Sequence, residues 1–95
     1  MEDKDLYREK FEANLNKLKA QIDVLEAKAD LLKAESKLEL KQQIQSLRQK
    51  RDAIANKLDQ LKQSSGEAWK DIKAGLESAT KELKGALGKA MDQFK

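Results

Sequence analysis

Residues 11–32 read FEANLNKLKAQIDVLEAKADLL and repeat an apolar side chain at alternating steps of four and three residues. This spacing is a heptad repeat, which places an apolar stripe along one side of an α-helix and predicts packing against a partner helix. The members of the stripe are Phe11, Leu15, Leu18, Ile22, Leu25, Ala29 and Leu32. The stretch therefore predicts an all-α fold built from packed helices.

A second heptad stripe covers residues 40–61, which read LKQQIQSLRQKRDAIANKLDQL. Its members are Leu40, Ile44, Leu47, Arg51, Ile54, Leu58 and Leu61. Neither Gly nor Pro occurs in the two stripes or between them, so we predict one long helix over 5–63. Arg51 is the polar member of the second stripe, and we expect it to set the register by pairing with Asp23 or Glu26 of a neighbouring helix.

A cluster of turn-forming residues, Ser64, Ser65 and Gly66, ends the long helix. The turn predicts a second helix over 67–94. Ser64 lies three residues before Glu67, which matches a capping box, and Ser65 is the other candidate cap. We therefore expect this helix to begin with a side-chain cap and to fold back on the first helix.

The C-terminal segment repeats with a period of 11 residues, since AWKDIKAGL at 68–76 aligns with ATKELKGAL at 79–87. Eleven residues make about three helical turns, so the repeat predicts a nearly straight apolar face. The members of this face are Trp69, Ile72, Leu76, Leu83, Leu87, Met91 and Phe94. Gly75, Gly85 and Gly88 each lower helix stability by about 1 kcal/mol relative to Ala, so this helix needs a surface to pack on.

Charge is distributed unevenly along the predicted long helix. Over 1–39, 8 basic and 10 acidic residues give −2, and over 40–63, 6 basic and 2 acidic residues give +4. When two such helices pair, the acidic half of each faces the basic half of the other only if the helices run antiparallel. The sequence therefore favours an antiparallel homodimer with a three-helix bundle at each end, formed by one N-terminal half and the other chain's hairpin. The alternative is a monomeric three-helix bundle bent near 34–37, and in both arrangements 1–95 is a single domain.

The composition argues against an enzyme. The chain of 95 residues contains neither His nor Cys, so it lacks the usual general base, the thiol nucleophile and two zinc ligand types. Acidic pairs such as Asp71 with Glu67, or Asp52 with Asp59, have the spacing of solvated residues on a helix. We therefore expect no catalytic residue, no metal site and no cofactor-binding site.

Two surfaces suggest binding functions that the sequence supports less well than helix packing. Arg48, Lys50 and Arg51 form the densest basic cluster, but the net charge of +3 and the lack of interleaved aromatic residues disfavour nucleic-acid binding. Residues 67–95 form an amphipathic repeat of the kind that lies on lipid surfaces. The basic residues flank one side of its apolar face and acidic residues the other, which favours packing beside a charged helix. Trp69 is expected to belong to the core, where it closes the hairpin against Leu58 or Leu61.

The start of the chain is acidic, and either Asp3 or Asp5 is expected to cap the first helix. No apolar run follows that would act as a secretory signal or span a bilayer. We therefore expect a cytoplasmic location.

Four stretches together resemble a family of small bacterial coiled-coil-domain proteins of unassigned function. They are KAQID at 19–23, LEAKA at 25–29, QIQSL at 43–47 and EAWKDIKAG at 67–75, and the last is the most distinctive. Members have a second aromatic residue where this chain has Thr80, which implies a less tightly packed C-terminal face. The resemblance implies a bacterial origin and a long helix followed by a C-terminal helix, and it supplies no activity.

Together these features predict a non-enzymatic structural or scaffolding protein that acts through helix–helix contacts. The expected partner is a second copy of the chain, with another helical protein as a further candidate. The alternative function is a peripheral protein that binds a lipid surface through residues 67–95. The two hypotheses differ in whether the apolar face of the C-terminal helix packs against protein or lipid.

Overall fold

Three α-helices make up the computed structural model, which describes residues 4–94. Helix α1 covers Lys4–Ala29, α2 covers Ala34–Gln63 and α3 covers Ala68–Gln93. No strand occurs within the described part of the chain, so the predicted all-α class is confirmed. Asp3, one of the two candidate caps of α1, lies outside the described residues.

The helices run up, down and up in a single bundle. At one end, Nζ of Lys4 donates to the carbonyl of Ser64 at 2.8 Å, which brings the start of α1 to the end of α2. At the other end, Nε2 of Gln93 donates to the carboxylate of Glu39 at 3.0 Å, so the end of α3 lies beside the start of α2. Consequently α1 and α3 are parallel to each other and antiparallel to α2. The bundle measures 52 × 18 × 16 Å.

The predicted continuous helix over 5–63 is wrong, because residues 30–33 form a turn between α1 and α2. This turn lies just before the 34–37 segment at which the alternative arrangement bends. The physical reason is packing: the bend lets the stripes of α1 and α2 bury each other within one chain. Burial of two long apolar stripes outweighs the helix propensity of a few linking residues.

The turn between α2 and α3 also differs from its prediction. The hydroxyl of Ser64 donates to the carbonyl of Leu61 at 2.8 Å, so it closes α2 and does not cap α3. Glu67 occupies the N-cap position of α3 with a helical backbone and no capping side-chain hydrogen bond. The predicted capping box is therefore wrong. Gly66 reverses the chain with a φ of 62°, a left-handed conformation that glycine adopts without a steric penalty.

Candidate interaction site

The residues picked out by the heptad and 11-residue spacings line the axis of the bundle. Those that are buried are Phe11, Leu15, Leu18, Ile22, Leu25, Ala29, Leu40, Ile44, Leu47, Ile54, Leu58, Leu61, Trp69, Leu76, Leu83 and Leu87. Leu32, Ile72 and Phe94 pack against this core while remaining partly exposed. Arg51 is also partly exposed, and Met91 lies mostly outside the core. The structure thus brings the predicted stripes together inside one chain.

Arg48 makes the charged contact that the sequence analysis assigned to Arg51. Its guanidinium reaches from α2 to the carboxylates of Asp23, at 3.5 Å, and Glu26, at 2.5 Å, on α1. Arg51 instead pairs with the adjacent Asp52 on its own helix at 2.8 Å. The predicted role of Arg51 is therefore wrong, because the antiparallel register set by the turn places Arg48 opposite the two carboxylates.

Other ion pairs join carboxylates of α1 to cations of α2. Nζ of Lys62 lies 3.0 Å from the carboxylate of Glu12, and this hydrogen bond holds the pKa of Glu12 below its usual value. The hydrogen bond from Arg48 lowers the pKa of Glu26 in the same way. These carboxylates of α1 are thus paired with cations of α2 within one chain.

The basic cluster of α2 has acidic neighbours. Besides the pairs of Arg48 and Arg51, Nζ of Lys50 donates to the carboxylate of Glu82 on α3 at 3.3 Å. A phosphate bound at this cluster would have to compete with four existing ion pairs. The cluster therefore ties α2 to its neighbours and offers no open anion site.

An aromatic cluster joins α1 and α3 near the start of both helices. The ring of Tyr7 lies between those of Phe11 and Trp69, with centroid distances of 6.1 Å and 5.8 Å. Nζ of Lys73 sits 4.0 Å from the centroid of the Tyr7 ring, within cation–π range. Trp69 is buried as predicted, and the aromatic ring next to it is that of Tyr7 on α1.

A groove runs along the surface between α1 and α3, which pack less closely with each other than either packs with α2. Its central part has a volume of about 350 Å³, and adjoining depressions continue it toward both ends. Lys70 and Lys73 line one end of it, and four lysines line the rest, Lys10 and Lys17 on α1 and Lys81 and Lys84 on α3. Within residues 4–94, no carboxylate lies within ion-pair distance of these four ammonium groups. We call this surface the basic groove.

Thr80 lies beneath the basic groove and is a core residue that the sequence analysis missed. It is 6% exposed, and its hydroxyl has no hydrogen-bond partner among the described residues. The signal was present in the spacing, because Thr80 follows Leu76 by four residues and precedes Leu83 by three. The sequence analysis did not assign Thr80 to the core because a polar threonine interrupts the apolar stripe.

Residues 4–94 contain no group of three or more acidic side chains placed to hold a metal ion. None of the three helices combines the length and apolar character needed to cross a bilayer within that range. Comparisons of the chain with models of protein families, with curated proteins and with solved structures found no match.

Proposed function

We propose that the protein is a non-enzymatic helical scaffold in which two copies exchange α1 and so form an antiparallel dimer. In this dimer the turn at 30–33 straightens, α1 and α2 become one helix, and α1 packs on α2 and α3 of the second copy. The observation that supports the proposal is that the turn at 30–33 keeps most of its helical hydrogen bonds and departs from helical geometry at Lys33. A cytoplasmic location belongs to the same proposal.

Helical hydrogen bonding continues almost through the turn. The amide of Asp30 donates to a carbonyl four residues earlier at 3.3 Å, and those of Leu31 and Leu32 donate to carbonyls three residues earlier. Lys33 then has a φ of −69° and a ψ of 160°. Its φ is already that of a helix, so the extended ψ separates this residue from helical geometry. Returning ψ to a helical value removes the extended link between α1 and α2.

The local sequence holds the bend by little more than an exposed ion pair, in which Nζ of Lys41 lies 3.3 Å from the carboxylate of Asp30. Residues 30–33 include neither Gly nor Pro, and no side chain caps α2 at Lys33. Leu31 is 86% exposed, so it contributes little packing to the bent form. Leucine and lysine are good helix formers. The bend is therefore held by the packing of α1 on α2 and not by the turn itself.

A second copy can supply the same packing. The ion pairs that join α1 to α2 extend from Asp30 with Lys41, at the turn, to Glu12 with Lys62 at the other end of the helices. Exchange of an identical element between two copies remakes the contacts that lie away from the turn, together with the buried stripe. The short link between the helices favours exchange, because a short hinge under constraint is relieved when it opens.

The lipid alternative is less well supported by the packing. Leu76, Leu83 and Leu87 on the apolar face of α3 lie inside the core. Binding a lipid surface through this face would require the bundle to open and expose its core. Exchange of α1 keeps the same face buried against protein in both the closed and the paired forms.

Molar mass in solution tests the proposal. Size-exclusion chromatography with light scattering is run on the full chain over a hundredfold concentration range, and again after refolding at the highest concentration. We expect a species of twice the 10.8 kDa chain mass that elutes early for its mass. A mass of one chain under every condition would overturn the exchanged dimer.

A proline substitution separates exchange from association through another surface. Ala34 is the first residue of α2, a position at which proline is well tolerated, and the extended ψ of Lys33 suits a residue before proline. In a continuous helix the same proline costs about 3 kcal/mol. We expect Ala34→Pro to remain folded and monomeric, whereas the control Ala34→Ser still dimerises. Dimerisation of Ala34→Pro to the same extent as the wild type would contradict the exchange.

A further inference from the structure

The basic groove is long and open. It follows α1 from Tyr7 to Gln21, a distance of about 21 Å along a helix, and its opposite wall is α3. Because α1 and α3 are parallel, their side chains form two matched rows along the groove. Small molecules usually bind in concave pockets that enclose most of their surface. A shallow channel of this length instead fits a rod.

The charge of the groove is not neutralised by the bundle. Lys10 and Lys17 line one wall and Lys81 and Lys84 the other, with no acidic ion-pair partner in the described residues. Glu77 lines the central part, where Nζ of Lys73 lies 4.0 Å from its carboxylate. Elsewhere in the bundle, cations of α2 face carboxylates of α1 and α3. An acidic partner would supply the carboxylates that these four lysines lack within the described residues.

Apolar side chains continue the two rows of the groove beyond the lysines. Val24 follows Lys17 by seven residues on α1, and Met91 follows Lys84 by seven residues on α3. Residues seven apart lie on nearly the same face of a helix. Val24 and Met91 are both exposed large hydrophobic residues. The surface therefore changes from basic to apolar along its length.

We propose that the basic groove binds an acidic amphipathic helix of another protein, which becomes a fourth helix of the bundle. Its carboxylates face the four lysines, and its apolar side chains cover Val24 and Met91. A groove between two helices accepts the side-chain ridge of a third, as in other helix packing. Nucleic acid fits less well, because Phe11 and Trp69 are buried and the partly buried ring of Tyr7 already packs against both of them.

The test uses two synthetic helical peptides of about 21 residues, long enough to span the groove. Both carry leucine at the same heptad positions, and one is flanked by glutamate and the other by lysine. Fluorescence anisotropy of each labelled peptide is measured while the full chain is titrated. We expect saturable one-to-one binding of the glutamate peptide, about tenfold or more tighter than that of the lysine peptide, and weaker binding as salt is added.

Charge reversal locates the binding surface. Lys10→Glu with Lys84→Glu changes both walls of the groove, and Lys19→Glu with Lys89→Glu is the matched control outside it. Each replacement lowers the charge by 2, so both double variants change the net charge from +3 to −1. We expect the groove variant to lose about tenfold in affinity for the glutamate peptide and to gain affinity for the lysine peptide. The control should retain the wild-type preference.

Three results of the peptide experiments would overturn the inference. They are equal binding of the two peptides, equal losses in the groove and control variants, and no binding of the glutamate peptide by a folded wild-type chain. Binding of single-stranded DNA or of phosphatidylserine vesicles through the same lysines, without peptide binding, would assign the groove to a different partner and would also overturn it. Circular dichroism and thermal unfolding establish that each variant is folded. In the exchanged dimer α1 of one copy meets α3 of the other, so this test does not depend on the dimer.

Discussion

The guanidinium of Arg48 on α2 donates from Nη1 to the carboxylate of Glu26 on α1 at 2.5 Å, while its Nη2 lies 3.5 Å from Asp23. One cation therefore engages two carboxylates that lie three residues apart on the facing helix. A shift of α1 along α2 by one turn would remove at least one of these contacts. The pair thus favours a single register of the two helices, in addition to the apolar packing beneath it.

Replacing Arg48 with Gln is expected to lower the midpoint of thermal unfolding, because Glu26 and Asp23 lose their shared cation. Arg51→Gln is the matched control, since Arg51 pairs with Asp52 on its own helix and makes no such bridge. Circular dichroism melting curves of both variants at the same protein concentration give the comparison. A fall in midpoint for Arg51→Gln as large as that for Arg48→Gln would contradict the assignment.

The same variant should respond to pH in a defined direction. Because Arg48 lowers the pKa of Glu26 in the folded protein, the pair adds stability above the ordinary carboxyl pKa of 4.5. This contribution is lost as the pH falls through the lowered pKa, when Glu26 becomes protonated in both folded and unfolded chains. The gap in melting midpoint between wild type and Arg48→Gln is therefore expected to narrow below about pH 4.5. A gap that is constant from neutral pH to about pH 2 would contradict the role of this carboxylate.

Much of the helical packing follows from spacing alone. Ile22, Leu40 and Leu83 are completely or almost completely buried, and each belongs to a stripe visible in the sequence. An apolar stripe must be covered whatever its partner, so its period identifies the covered residues without identifying the partner. For that reason the stripes predict which residues are buried but do not distinguish a neighbouring helix in the same chain from one in a second copy.

Neither the bend between α1 and α2 nor the register of the ion pairs can be predicted from the local sequence. Residues 30–33 have the composition of a helix, and their turn follows from the packing of distant stripes, a tertiary effect that overrides propensity. The partner of each charged residue then depends on where that turn falls. Arg48 and Arg51 are three residues apart, so a small error in the position of the bend exchanges their roles. The basic groove was missed for the same reason, since its two walls are separated by about 65 residues of chain.

Thr80 offers a substitution that should stabilise the protein. Its hydroxyl is buried without a partner, and Val has nearly the same shape without the polar atom. We expect Thr80→Val to raise the free energy of unfolding by about 1 kcal/mol, equivalent to a rise of about 4–8 °C in melting midpoint for a domain of this size. Thr80→Ser is the control, because it keeps the hydroxyl and deletes a buried methyl group, which should cost about 1 kcal/mol. If Thr80→Val is less stable than the wild type, the hydroxyl has a partner in solution.

Two glycines on α3 provide a second stabilising change. An added Cβ at Gly85 or Gly88 would meet no other atom within 4 Å, and both residues are in the helix interior. Replacing each with Ala is expected to add up to about 1 kcal/mol, because the unfolded chain loses conformational freedom. Gly66→Ala should have the opposite sign, since a φ of 62° costs an L-residue about 1–2 kcal/mol. Urea unfolding of the three single variants tests the signs, and a loss of stability at Gly85 or Gly88 would indicate a contact on that face of α3.

Alanine substitutions at Leu76 and Leu31 test whether the closed three-helix bundle accounts for the free energy of unfolding. Leu76 is fully buried in the core, whereas Leu31 projects from the turn between α1 and α2. Leu76→Ala is expected to lower the free energy of unfolding by about 2–5 kcal/mol, through lost burial and the cavity left behind. Leu31→Ala should change it by no more than about 0.5 kcal/mol, as for other surface substitutions. Urea unfolding followed by the fluorescence of the single Trp69 measures both at one protein concentration. Comparable losses from the two variants would mean that Leu31 is covered in solution, and a covered Leu31 would require a partner over the turn that the closed bundle lacks.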